Sequence, residues 1–231
     1  MKRLCKKIIV CISTLGTLAQ LNAAIAAPPP ETYGPTWVLA EAIKSCSPDI
    51  VTRALENVPD INAYIQTGLT ALQLACRDNH AAIAYLLLEH PAIKPNTPAR
   101  DHSKFTALHF AVARNNVDCV VALLKYHEEH KLNLNLDTTD EGGNSPLRLA
   151  AETGNHMILA LLVEAGASTI IPDIMGKMPE HSAEELGHTE ITKLLAAVAG
   201  DPDGSRRDSL SADSHHPDTG SASGTDSSLD A

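Results

Sequence analysis

The chain has 231 residues, 44% of them apolar but only 3% aromatic, and carries a formal net charge of −10 at neutral pH. That apolar content supplies a continuous core, while the shortage of large rings argues against sheets held by aromatic pairs and for thin, closely packed helices. A surface this acidic repels phosphate backbones and anionic lipid headgroups, which sets nucleic acids and membrane surfaces aside as partners.

Residues 1–26 read as a signal peptide: basic Lys2, Arg3, Lys6 and Lys7, an apolar run from Ile8 to about Leu21, then small residues ending Ala24-Ile25-Ala26. A membrane anchor is the alternative, but Ser13, Thr14, Gly16, Thr17, Gln20 and Asn22 interrupt the run. Neither Cys5 nor Cys11 stands at the junction a lipoprotein would use. Cleavage after Ala26 would remove four cations and take the net charge to −14. A Pro-rich linker, residues 27–35, follows.

From residue 36 to 200 one unit recurs. Ala42, Ala75, Ala111, Ala150 and Ala183 mark it, at spacings of 33, 36, 39 and 33 residues. Ahead of the mark, Thr70, Thr106 and Ser145 offer a hydroxyl to the first amides of a helix, and Pro146 and Pro179 stand where a helix start needs no amide. Four residues after it come Cys46, Asn79, Asn115, Gly154 and Gly187, mostly the residue types that end a helix in the left-handed conformation. The first helix of each unit is therefore short, about nine residues.

A second helix follows, with its core stripe read as Ile50, Val51 and Leu55; Ile83, Leu86 and Leu87; Val120, Leu123 and Leu124; Ile158, Leu161 and Leu162; Ile191, Leu194 and Leu195. The expected units span residues 36–64, 65–100, 101–139, 140–172 and 173–200. An aspartate recurs ten residues before the mark at Asp101, Asp140 and Asp173. Two connections exceed the period. Prolines 91, 95 and 98 make the first a stiff loop, and Lys125 to His130 prolong the second helix of the third unit. Residues 201–231, nearly all Ser, Asp, Gly and Pro, cannot bury a core and are expected to be a disordered tail.

Cys46, Cys76 and Cys119 remain after processing; an odd number at helical positions fits packed thiols, with a Cys46–Cys76 bridge left open. No phosphate-cradling loop, nucleophile elbow or zinc-binding helix pair is present. His127 and His130 share one helical face, but two ligands without a third and fourth make a poor metal site, and a solvated helix extension is the competing reading. No catalytic residue, metal or cofactor is expected.

The unit resembles the ankyrin repeat, most clearly in GNSPLRLAAETGNHMILALLVEAGA (143–167) and GKMPEHSAEELGHTEITKLL (176–195), and also in GLTALQLACRDNH and KFTALHFAVARNN. VLAEAIKSCSPDIVTRALENVPDINA departs from it by lacking the opening Gly and Thr, as a terminal cap would. The resemblance implies an all-α solenoid of about five stacked helix-turn-helix repeats, in which His109 and His181, at the motif's histidine, tie neighbouring turns together by hydrogen bonds.

It also implies a non-enzymatic module that binds a protein partner on a concave face. The projecting turns would contribute Gln66, Thr67 and Leu69; His102, Ser103 and Phe105; Glu141 and Asn144; and Ile174, Met175 and Lys177. The first helices would contribute Lys44, Ser45, Arg77, Asp78, Arg114, Glu152 and Thr153. Phe105, Ile174 and Met175 are apolar tips on surface loops and hence candidate anchors; the alternative is that they fold back on the next turn. The expectation is an exported monomer acting in the periplasm or outside the cell. A secreted effector acting on a host protein is the alternative, and an enzyme built on the scaffold is a third class.

Overall fold

The helix starts and stops written in the sequence are the ones the chain adopts. In the computed structural model, which describes residues 35–65, 67–130 and 134–199, Thr70 Oγ accepts the Gln73 amide while the Gln73 side chain accepts the Thr70 amide, a reciprocal cap that Thr106 and His109 repeat. Ser145 Oγ accepts the Arg148 amide, and Pro146 and Pro179 occupy the first helical turn. At the other end Cys46, Asn79, Asn115, Gly154 and Gly187 all have φ between 56° and 78°.

Ten helices form among the described residues, with no strand. They pair as α1 (Pro35–Lys44) with α2 (Pro48–Leu55), α3 (Ala71–Arg77) with α4 (Ala81–Leu88), α5 (Ala107–Ala113) with α6 (Val117–Glu129), α7 (Pro146–Glu152) with α8 (His156–Glu164), and α9 (Pro179–Glu185) with α10 (Thr189–Ala199). First helices pack on first helices and second on second, so the chain is an all-α solenoid of five stacked helix pairs. No described helix is long and apolar enough to cross a membrane.

Two expectations need correction here. The first helices from α3 onward have seven residues, not about nine, because capping residues such as Thr70 (ψ 166°) and Asp78 (ψ 9°) leave helical geometry. α1 also takes in Pro35, assigned above to the linker. The expected signal peptide (1–26), the rest of the linker, Gln66, and the expected tail (201–231) lie outside the described residues.

One core runs through the stack from Leu39 to Val198. In the second helices it takes Ile83 and Leu87, Val120 and Leu123, Ile158 and Leu162, and Ile191 and Leu195, all buried. Leu55, Leu86, Leu124, Leu161 and Leu194 are instead half-buried. They sit at the edge of the contact because a stripe of neighbouring leucines is wider than the face one helix presents.

α6 has thirteen residues against eight in α4 and nine in α8, as the insertion predicts. His127 Nδ1 donates to the Leu134 carbonyl (2.9 Å) and the His130 ring stacks on Tyr126, while Leu134 and Leu136 plug the loop into the core. Both histidines are thus engaged locally, and among the described residues no group of three or more potential metal ligands forms. Cys76 and Cys119 are buried as free thiols, Cys119 Sγ donating to the Ala75 carbonyl (3.8 Å), and the neighbouring Cys119 thiol, with burial, pushes the Cys76 thiol well above its ordinary value. The Cys46–Cys76 bridge does not form. Cys46 is an exposed free thiol rather than a core one.

Candidate protein-interaction surface

Between helix pairs the chain makes a tight turn closed by its own backbone. The Ile65 amide donates to the Leu69 carbonyl, Ala99 to Phe105, Asp140 to Asn144 and Asp173 to Lys177, at 2.8 to 3.1 Å. Successive turns then hook together, with Arg100 N donating to Gly68 O, Glu141 N to Ser103 O and Ile174 N to Gly142 O. Glycine is required at 143, where φ is 78° and an added Cβ would meet the Ile174 amide nitrogen at 2.7 Å.

The recurring aspartates close these turns. Asp140 Oδ1 accepts the Asn144 amide (2.8 Å), and Asp173 Oδ1 accepts those of Met175 and Lys177. The Lys177 amide, with help from that of Met175 and from Arg148, holds the Asp173 carboxyl below its ordinary range. Asp101 sits inside a turn two residues longer, bonding Ser103.

The third residue of the first helix in the second, third and fourth units ties its unit to the next, and three different side chains do the same job. Gln73 Nε2 donates to the Phe105 carbonyl (3.0 Å), His109 Nε2 to that of Asn144 (3.1 Å) and Arg148 Nη1 to that of Lys177. All three acceptors stand just before the capping residue of the following helix. His109 Nδ1 accepts the Thr106 amide, so the ring is held neutral with its proton on Nε2, and burial pushes its pKa below the ordinary value.

Arg148 is buried to 3% exposure and is neutralised by Asp173 (2.7 Å) and Glu152 (3.1 Å). Aligning the marks shows the position but not that a buried guanidinium would serve there. His181, at the same place in the fifth unit, is exposed.

The residues expected to meet a partner divide accordingly. Ile174 and Met175 stand clear of the turn at 77% and 79% exposure, with Ile170 (66%) and Met178 (36%) nearby in the chain, two positions the sequence pattern did not single out. Thr67, His102, Glu141, Arg114, Thr153, Lys44 and Ser45 are exposed.

Phe105 is half-buried, its ring stacked on His109 (5.4 Å between centroids) and edge-on to Phe110, so this tip folds back. Leu69 is buried and is not a surface residue. Ser103 and Asn144 hold their own turns. Lys177 bridges to Glu185, Glu152 to Arg148, and Arg77 pairs with Asp78 (2.8 Å), which holds the Asp78 carboxyl below its ordinary range. On the opposite layer, α6 and α8 part around an open groove of about 590 Å³ lined by Val121, Leu124, Lys125, His127, Glu128, Leu161, Glu164 and Ala165.

Comparison with known proteins agrees with this geometry. The family model described as "Ankyrin repeats (3 copies)" matches residues 39–135 and that described as "Ankyrin repeat" matches 142–174. The chain is 31% identical over 150 residues to protein glp-1 of Caenorhabditis elegans, covering 62% of this chain and 11% of that protein. It is 36% identical over 96 residues to diacylglycerol kinase zeta of Rattus norvegicus, covering 42% and 10%. Cyclin-dependent kinase inhibitor 2A of Monodelphis domestica is 32% identical over 127 residues, 54% of this chain and 68% of its own length. The chain thus spans about a tenth of the first two relatives.

Proposed function

The chain belongs to the ankyrin-repeat family and is a protein–protein interaction module, and from that premise we propose that it is exported and binds one protein partner, without catalysing a reaction, through its projecting turns and first helices. The observation that carries the assignment of the face is the pair Ile174 and Met175. Their backbone is fixed by the Asp173 cap, yet both side chains are spent on solvent, an arrangement with no return to the fold.

Exposed Glu184 and Glu185 stand on the first helix of the last unit, Glu185 paired with Lys177. A partner that offers an apolar anchor beside basic groups suits the later end. His102, Ser103, Phe105, Asn144, Lys177, Arg77, Asp78 and Glu152 shape this surface in the proposal, and only the exposed ones touch the partner. Export rests on the character of residues 1–26, and N-terminal sequencing of secreted material should find Ala27 first.

The test of the face is affinity capture from the native extract with residues 27–231, followed by titration of the captured partner against the parent and against an Ile174→Ser, Met175→Ser double variant. Affinity should fall by about 2 kcal/mol or more with the helical signal unchanged. Undiminished affinity would overturn the assignment and turn attention to the groove between α6 and α8.

A further inference from the structure

The groove between α6 and α8 combines an apolar wall with unpaired acid. Val121 (46% exposed), Leu124, Leu161 and Ala165 line it, a strip of carbon that the stack leaves to water. Glu128 on α6 and Glu164 on α8 line it too, both exposed and neither in an ion pair among the described residues. Lys125 shares the α6 wall but is engaged by Glu129 (3.8 Å) and by the Tyr85 ring of α4 (5.1 Å). An occupant that matches this groove carries cations beside an aliphatic side chain.

The chain itself holds such a segment close by. Beyond Ala199, where α10 ends, its only cations are Arg206 and Arg207, and Leu210 follows them in SRRDSL. The second helices α6, α8 and α10 stand side by side in one layer and run the same way, so Ala199 leaves the stack at the end where Glu128 and Glu164 stand. With neighbouring helices about 8–10 Å apart, the groove begins roughly 15 Å from Ala199. Arg206 is seven residues on, and at about 3.3 Å per extended residue that stretch reaches about 23 Å. Asp201, Asp203, Asp208 and Asp213 surround the basic pair, so like charge keeps other registers off the two glutamates.

We propose that residues 206–210 dock in this groove within the same chain, the two arginines meeting Glu128 and Glu164 and Leu210 covering the apolar wall. Tethering raises the effective concentration of the segment at the groove to about the millimolar range, which a contact this small requires. The inference does not rest on the partner-binding reading, whose surface lies on the other layer.

The test uses the purified full chain carrying Leu210→benzoylphenylalanine, irradiated at several dilutions, with intact-mass measurement and peptide mapping. Cross-links should form within one chain, at a yield independent of protein concentration, to residues 121–128 of α6 or residues 161–165 at the end of α8. Glu128→Arg with Glu164→Arg should lower the yield at least about fivefold, as should Arg206→Glu with Arg207→Glu, and combining all four changes should restore it. Both glutamates are exposed, so the unfolding midpoint should hold through the series. Cross-links mapped elsewhere on the stack, cross-links joining two chains, or a yield unmoved by either reversal would overturn the proposal.

Discussion

Replacing Arg148 by alanine should damage the stack more than the loss of any exposed charge. Two losses combine. The Lys177 carbonyl keeps the Asp173 amide but loses the guanidinium, a bond from a charged group worth about 1.5–3 kcal/mol, inside the contact between α7 and the turn of the fifth unit. The buried stem loses two methylenes, about 0.8 kcal/mol each. The total, about 3–5 kcal/mol, matches what removing one partner of a buried ion pair costs, and for a folded region of this size it lowers the melting temperature by about 6–20 °C. Urea unfolding followed by far-ultraviolet circular dichroism measures it. Arg148→Gln should recover about half, because Gln73 makes the equivalent bond with a neutral amide. A loss below about 1 kcal/mol for the alanine variant would mean that Arg148 behaves as a surface pair and that the link to the fifth unit is not carried by this side chain.

Leu162→Ala should cost about 2–5 kcal/mol, while Leu161→Ala, beside it on the groove wall, should cost about 1 kcal/mol; equal losses by urea titration would contradict the assignment of faces. His109 has a folded pKa below its ordinary 6.5, so the unfolded chain takes up the proton first, and the stability it contributes is present above 6.5 and lost as pH falls through the folded value. His109→Gln, which places there the residue that Gln73 supplies one unit earlier, should therefore lose less stability than the parent on acidification from about pH 7 to pH 5, and parallel pH profiles would refute this. Arg114→Glu should weaken partner binding at low ionic strength and much less at high, read by titration at two salt concentrations, since an exposed charge acts over a screened distance.

What could be read without coordinates was the chemistry that acts over a few residues. Thr70, Thr106 and Ser145 bond amides three positions on, and Asn79, Asn115, Gly154 and Gly187 stop their helices wherever the chain carries them. Leu161 was misplaced because α8, HMILALLVE, is apolar on nearly every side, so only its packing partners decide which leucine faces inward. Phe105 could not be settled either, since folding back depends on His109 and Phe110 coming within ring contact. Nothing in the sequence pattern singled out Arg148. Its burial depends on Asp173, twenty-five residues away and brought near only by the stacking itself.

The three links made from one position, by Gln73, His109 and Arg148, give the stack seams of unlike temperament. The amide seam between the second and third units has nothing to titrate and no charge to screen. The imidazole seam between the third and fourth weakens in acid, when its only acceptor nitrogen is claimed by a proton and can no longer receive the Thr106 amide. The guanidinium seam between the fourth and fifth depends on the Asp173 carboxylate, which is held below its ordinary range, and so yields at lower pH still. Mild acid should thus loosen the solenoid between the third and fourth units first, whereas a uniform repeat would fray from its ends.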